Sequence, residues 1–600
     1  MTLLAGWVGT TITSKDAKRL LQRYVAQAPV YTQKGVDVES SEFYAFAANQ
    51  QKIHTEQGVL LINAGNVALG TSANSLVKRY QQNGNHFLDK SPTEQALVII
   101  DQDNKKLILA TDPIGLTQLY YATTDTGIVF GTSADSVIAH PEVKNDISAQ
   151  SVYDYVYYHH CPSPYTIYQQ VNKLEGGQIL IFQDGKVTIN NYWHPEFQET
   201  MSTSVAEMGK ELQQKLISSV DKLSDGEAVT GAFLSGGLDS SSVAGALAKV
   251  YPNKAKTFSM GFPVEGYDEI EYANIAVKQF NTQQHEYYLT PDDTVKAIPD
   301  IAAYYDEPFG NSSALAAYYC AKMAQENGIS VLLGGDGGDE IFAGNERYAQ
   351  QLVFDYYQQV PSIIGNGMER ILNHLPGLLA KQKLFFKAKR YIDQAKTPLP
   401  DRLQDYNFLH RHIGAEVFQA DFLQQINTER PLDILRESYH RPAEASTLNR
   451  MLFMDWKTTL HDNDLVKVNK MCEMAGVTVR YPLLSQEVID LSCKIPSAEK
   501  LQAKALRKFY KTAMADFLPE KIINKPKHGF GLPFGVWLKD FQPLKELAYD
   551  SIESLKKRPY FKTEFLDHTL KMHQSIHAAY YGELIWILMM LELWFQGKRL

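Results

Sequence analysis

The chain reads as a multidomain α/β protein, with an antiparallel β part followed by a doubly wound α/β part that carries a largely helical extension. Three observations predict this. The first third is built of short β-rich runs separated by turn residues. From about residue 200, long helical periods alternate with short apolar strands, the pattern of a parallel sheet with crossover helices. At 600 residues the chain exceeds what one hydrophobic core organises.

Taken in order, Gly58–Asn63, Ala96–Asp101, Leu107–Ala110 and Gly127–Phe130 are apolar strand runs, and packed antiparallel sheets follow from them. Gly177–Phe182 followed by Asp184-Gly185 signals a hairpin. The composition shifts between 195 and 210, which sets domains at 1–200 and 201–600, with a helical insertion at about 350–450. Tyr153–His160 reads as aromatic packing at the domain interface, and its two histidines have no further ligands nearby for a metal. Lys381, Lys383, Lys387, Lys389, Arg390 and Lys396 form either a solvated helical face or a docking surface for an acidic partner. Leu584–Phe595, interrupted by Glu592, reads as a buried terminal helix rather than a membrane span.

Composition excludes several classes. A hydrophobic content of 44% with 21% charged residues is that of an ordinary globular protein. A net charge of −9 argues against bulk nucleic-acid binding. The four cysteines, Cys161, Cys320, Cys472 and Cys493, form no C-x-x-C pair, which fits a reducing cytoplasm and offers no zinc site. The start, Met1-Thr-Leu-Leu-Ala-Gly-Trp, lacks the features of a signal peptide, so the expectation is a cytoplasmic protein with neither membrane nor nucleic acid as partner.

Chemistry concentrates in two glycine turns. An apolar strand, Val229–Leu234, runs into Ser235-Gly236-Gly237 and then a helical pattern from Ser240 to Lys249. A helix N-terminus presents free N–H groups and a positive dipole end to a polyphosphate, and glycine lets the backbone approach it. Asp239 stands where it can bind Mg²⁺ carried by the phosphates. No G-x-x-x-x-G-K-[ST] is present, so this is not a Walker loop. A second strand, Val331–Leu333, enters Gly334-Gly-Asp-Gly-Gly-Asp-Glu340. Ligands of open α/β sheets bind at such strand ends, and Asp339 can complete a Mg²⁺ shell with Asp239. Met260, after an apolar strand, is a plausible adenine edge. Asp306–Ala314 is rich in hydrogen-bonding side chains, but a helix-capping role accounts for it and no chemistry is assigned there. Asn524–Pro533 is a shaped loop whose Lys527 can stabilise charge on an α-phosphate.

Ser235–Ser240 resembles the S-G-G-x-D-S signature of the ATP pyrophosphatases, and the whole chain resembles the asparagine synthetase family. Residues 107–121 are similar to its N-terminal pattern L-x-L-A-R-D-x-x-G-x-x-x-L-Y-Y. Residues 464–484 are similar to its D-x-x-x-K-x-D-R … V-R-x-P-F-L. The resemblance implies an N-terminal-nucleophile (Ntn) hydrolase-like antiparallel sandwich ahead of a doubly wound ATP-pyrophosphatase domain. By position it implies that Leu234, Met260, Gly334 and Gly335 hold the adenosine, and that Ser235, Gly236, Gly237, Asp239 and Ser240 hold the pyrophosphate. It further implies Asp239 and Asp339 for Mg²⁺ and Lys527 as the catalytic lysine. Asp336 falls where these enzymes carry a glutamate beside the acyl adenylate, and Asp336 or Asp464 could assist deprotonation of the amine.

Two departures change the reading. Thr2 stands where the family places the glutaminase cysteine, and Ser91-Pro92-Thr93-Glu94 lacks the aspartate of S-D-x-E that grips glutamine's amine. The N-G-E oxyanion pattern is also missing around Ile62-Asn-Ala-Gly-Asn66. The expectation is a dead glutaminase, and hence an amine already carried by the substrate. Gly334–Glu340 with Asn345-Glu-Arg-Tyr348 and Lys527–Phe534 resemble the lasso-peptide macrolactam cyclases most. The function this implies is ATP- and Mg²⁺-dependent closure of an isopeptide ring, with a precursor peptide, a leader peptidase and a leader-recognition protein as partners. Alternatives are an ammonia-dependent asparagine synthetase, a β-lactam synthetase-type ligase, or a non-catalytic scaffold.

Overall fold

The computed structural model describes all residues except 1, 2, 10, 11, 13, 28–34, 50–52, 66–70, 90, 91, 359–390, 406, 412, 413, 527–530, 576 and 577. Thr2, Ser91, Lys527 and the basic cluster apart from Lys396 therefore lie outside the described residues.

Among the described residues, twelve strands precede residue 192: β1 (Leu4–Val8), β2 (Val36–Ser40), β3 (Tyr44–Asn49), β4 (Ile53–Glu56), β5 (Val59–Asn63), β6 (Leu97–Asp101), β7 (Lys106–Ala110), β8 (Tyr120–Thr123), β9 (Ile128–Gly131), β10 (Asn172–Lys173), β11 (Gln178–Gln183) and β12 (Lys186–Asn191). They form two six-stranded antiparallel sheets, ordered β10-β8-β9-β1-β3-β2 and β12-β11-β7-β6-β5-β4. Period-two alternation divides the buried side chains between two sides. Leu60, Ile62, Val98 and Ile100 meet Leu4, Val8 and Phe46 of the other sheet. Leu61, Leu97 and Ile99 instead pack under Leu76, Val77 and Tyr80 of the helix Ala73–Asn83. The β11–β12 turn carries Asp184 and Gly185 with positive φ, as the Asp-Gly pair predicts.

The second part is a five-stranded sheet, β13 (Thr230–Phe233), β14 (Lys256–Gly261), β15 (Gln283–Tyr288), β16 (Val331–Leu333) and β17 (Thr478–Arg480). Every pairing is parallel and the order is β15-β14-β13-β16-β17. The chain winds outward in both directions from β13, so the winding reverses between β13 and β16, and at such a point the loops after two neighbouring strands open a crevice.

Among the helices that matter below are α1 (Ala149–Tyr158), α2 (Leu238–Val250), α3 (Gly338–Phe342), α4 (Thr447–Asp455), α5 (Leu465–Met474) and α6 (Ala578–Gly597). Between α4 and α5 the coil widens to a π-helix over Trp456–Asp464. Tyr153–Tyr158 packs α1 onto the second part: Tyr155 donates to the Ile587 carbonyl at 2.7 Å, and Tyr153 lies 5.4 Å from Phe418, ring to ring.

Helix α6 is long and apolar enough to cross a membrane, yet 72% of its most apolar stretch is buried inside the protein. A helix apolar all round belongs in a core. Glu592, 1% exposed on α6, accepts from Arg558, from Ser554 at 2.7 Å and from Gln596 at 3.0 Å. Removing one partner of a buried ion pair costs about 3–5 kcal/mol because a charge is left uncompensated. Arg558→Met is therefore expected to lower stability in urea by about that amount, and adding Glu592→Gln should restore a large part of it.

Candidate active site

The two glycine turns meet because β13 and β16 are paired, Ala232 against Leu333, so that both strands end at the same level. After β13, Gly236 has φ +70, and a Cβ there would stand 2.4 Å from the Ala273 nitrogen. Ser235 Oγ and Ser240 Oγ lie 2.9 Å apart, and Ser240 Oγ accepts the Ser235 N–H at 3.2 Å, closing the turn onto the first turn of α2. The second turn leans directly on that helix end: a Cβ on Gly335 would come within 2.7 Å of the Ser240 nitrogen. Trp456 then donates its indole N–H to the Glu340 carbonyl at 3.0 Å, anchoring α3 from behind.

Between the turns lies a cavity of about 740 Å³, ample for a nucleoside triphosphate and part of an acyl substrate. Leu234, Ser235, Gly237, Asp239, Ser240, Met260 and Gly335 line it, as do Asp336, Asp339 and Asp464. Gly236 and Gly334 do not. Gly236 is pressed against Tyr272 and Ala273, and Gly334 against Tyr481. At both positions the close packing leaves no room for a side chain. Phe258 and Met260 supply an apolar wall. At another edge Lys525 and Pro526 line the cavity immediately before Lys527; Lys525 pairs with Glu269 at 3.1 Å.

Arg507 is the residue that sequence reasoning missed. It is 6% exposed, and one of its nitrogens, Nη1, donates to Asp239 at 2.7 Å and to Asp339 at 3.1 Å, while Nη2 also meets Asp239. Burial alone would favour a neutral guanidinium, but Asp239 and Asp339 outweigh it and hold the charge. One nitrogen reaching both carboxylates shows that they converge on a volume one cation can fill. Two hard oxygen donors beside a polyphosphate suit Mg²⁺, which takes its other ligands from phosphate and water. No third protein ligand is needed, and among the described residues no group of three or more metal-binding side chains occurs. Arg507 carries no local signal beyond a basic stretch, Lys504–Lys511, because its partners lie 268 and 168 residues away.

Asp336 of the second turn is joined in the cavity lining by Asp464 and Lys467. Lys467 pairs with Asp464 at 2.8 Å, and its ammonium form is favoured against burial by Asp464 and Asp336. Burial pushes the Asp336 carboxyl up to about 6, with Asp464 raising it and Lys467 opposing. The loop to which no chemistry was assigned contributes after all. Asn311 and Ser313 line the cavity, and Asn311 donates to Asn463 at 2.9 Å.

The β-sandwich lacks an exposed thiol. Cys161, the one cysteine in the first 200 residues, is 2% exposed, and burial drives its thiol pKa well above the usual range. Near Pro92, the Gln95 side chain covers Gly65 so closely that a Cβ there would meet Gln95 Oε1 at 2.0 Å.

Residues 211–596 match the asparagine synthase family model, and residues 61–193 match a glutamine amidotransferase domain. The chain is 26% identical over 508 residues to glutamine-hydrolyzing asparagine synthetase 1 of Bacillus subtilis, spanning 83% of this chain and 76% of the relative. It is 23% identical over 570 residues to a putative glutamine-hydrolyzing asparagine synthetase of Mycobacterium tuberculosis, spanning 93% and 83%. It is also 23% identical to amidase chyE of Penicillium rubens, spanning 78% and 74%.

The Arg507 bridge generates a test. Arg507→Met leaves Asp239 and Asp339 facing each other, and since both are partly exposed the cost is about 1–3 kcal/mol rather than the full buried-pair penalty. Thermal unfolding should show that loss, and millimolar MgCl₂ should restore more of it in the variant than it adds to the parent chain.

Proposed function

Because the chain belongs to the asparagine synthase family, and with it to the ATP-dependent amide-forming ligases that release AMP and diphosphate, we propose that it joins an activated carboxyl to an amine carried by its own substrate. The finer reading is an isopeptide macrolactam cyclase acting on a precursor peptide, as in lasso-peptide biosynthesis. The observation that carries the proposal is the absence of an available thiol in the sandwich, where the one cysteine, Cys161, is buried and its thiolate disfavoured. Proline at 92 and the crowding of Gly65 by Gln95 support it. The relatives that are named as glutamine-hydrolyzing free ammonia from glutamine; this chain has no such thiol to use.

In this reading, a side-chain carboxylate of the peptide attacks the α-phosphorus of ATP. The bond from that phosphorus to the bridging oxygen breaks and diphosphate leaves. The peptide's N-terminal amine then attacks the acyl carbon, AMP departs, and the amine gives up a proton. Ser235, Gly237 and Ser240 cradle the phosphates at the α2 N-terminus. Asp239 and Asp339 would hold Mg²⁺, which neutralises charge on the phosphates. Lys527, following the wall residues Lys525 and Pro526, is assigned to the charge that builds on the α-phosphate. Asp336 and Asp464 stand where an ammonium group is attracted and where its proton can be received. Holding both ends of one peptide replaces encounter by proximity, worth about 7–11 kcal/mol of barrier when the geometry is good.

Co-expression with a short precursor, followed by mass spectrometry, should show the leader-free peptide lighter by one water. Asparagine formed from aspartate, ammonium and Mg·ATP, with no peptide product, would instead establish the ammonia-dependent synthetase that the relatives' names favour; absence of AMP with any acid would leave only a scaffold. Lys527→Ala should abolish most turnover while ATP still binds. An acceptor carboxyl at about 6 works only when ionised, so AMP release should fall as pH drops through about 6, and Asp336→Asn should remove that limb.

A further inference from the structure

The run from Trp456 to Met474 touches both parts of the molecule along its length. Toward the sandwich, Lys457 donates to the Gly176 carbonyl. His461, held neutral by burial, donates from Nδ1 to the Gly115 carbonyl at 3.0 Å. Asp462 accepts from the Ser163 amide at 2.7 Å and its hydroxyl at 2.5 Å, and Asn469 donates to the Leu116 carbonyl at 2.9 Å. Toward the cavity, the same run presents Asp464, Lys467 and Val468. Residues two apart on a helix point to nearly opposite sides, so that Asp462 reaches the sandwich while Asp464 lines the cavity. The widened turn over Trp456–Asp464 lies where the run changes from one to the other. Such stretches are rare overall and frequent at functional sites.

The contact on the sandwich side is a loop with no freedom. Asp112, buried, accepts the amide hydrogens of Ile114 at 3.1 Å, Gly115 at 2.8 Å and Leu116 at 2.8 Å. That fixes the carbonyls of Gly115 and Leu116. Gly115 has φ +77, and a Cβ on it would strike the His461 ring at 2.4 Å. From Asn469 the path continues inward: Tyr481 donates its hydroxyl to Asn469 Oδ1 at 2.9 Å. The Tyr481 ring lies against Gly334, where a Cβ would be 3.1 Å away, and its hydroxyl feels the charge of Asp336. Asp112, Leu116, Asn469 and Tyr481 also line a second cavity of about 340 Å³.

We propose that the sandwich, freed from supplying ammonia, serves this chain as a positioning element. Its Asp112–Leu116 loop sets Asp464 through His461 and sets Asp336 through Asn469 and Tyr481. The inference rests on the reading of Asp336 and Asp464 as the groups that meet the amine, but its test does not depend on the identity of the peptide.

Amide hydrogen exchange of the full chain in Mg·ATP is the measurement, comparing Tyr481→Phe and Asn469→Ala with the parent. Exchange should quicken about tenfold across 334–340 and 460–468 and stay unchanged in the sandwich strands and in α6. Once the acid substrate is known, both variants should lose kcat about tenfold with KM for Mg·ATP within about twofold, the split expected of misplaced acting groups rather than lost binding. Gly115→Ala, distant from the cavity, should reproduce the local exchange pattern if it folds. Unchanged exchange at 334–340 in both Tyr481→Phe and Asn469→Ala, or acceleration spread over the whole chain, overturns the proposal. A macrolactam assay that fails while the local exchange pattern holds would count against the substrate reading alone.

Discussion

The candidate site depends on one pairing of carboxylates. Parallel hydrogen bonding of β13 with β16 delivers two glycine turns to the same level, and each turn brings an aspartate to the gap between them. Two like charges at that distance repel, and the repulsion would separate the turns without a cation. Arg507 supplies one from a third segment. The Ser235–Ser240 closure and the close seat of Gly335 on α2 adjoin this balanced charge.

Much of this was legible from local pattern. A strand, a glycine turn and a helix leave marks within a dozen residues, so Ser235–Ser240 and Gly334–Glu340 stood out, and the structure places both at a reversal of sheet winding. The two antiparallel sheets and the Asp184-Gly185 hairpin were legible for the same reason. What escaped was set by contacts far along the chain. Arg507 has an ordinary neighbourhood in sequence and acquires meaning from Asp239 and Asp339. The widened helix at Trp456–Asp464 has no signal of its own, because helical periodicity continues through it. The tight packing of Gly236 against Tyr272 and of Gly334 against Tyr481 was likewise invisible in the sequence. Ser313 was read as a helix cap, and it lines the cavity together with Asn311.

The 107–121 motif gains a physical explanation. Its aspartate is Asp112, whose carboxylate gathers three backbone amides, and its glycine is Gly115, which leaves room for His461. The motif therefore encodes a junction between the two halves rather than a catalytic feature of the sandwich. A sandwich without an exposed thiol can still be needed, since the helix carrying Asp464 and Lys467 is fastened to it at four points.

The buried helix α6 bears on how the molecule is made. Tyr155 on α1 finds its acceptor at Ile587, 432 positions further along, and the Tyr305 carbonyl waits for Trp594. Contacts so distant in sequence form late and slowly, after the intervening chain has been paid out. During synthesis the apolar seat beneath α6 is therefore open to water until residues 578–597 have been made. Exposed apolar surface of this kind is where aggregation of an unfinished fold begins.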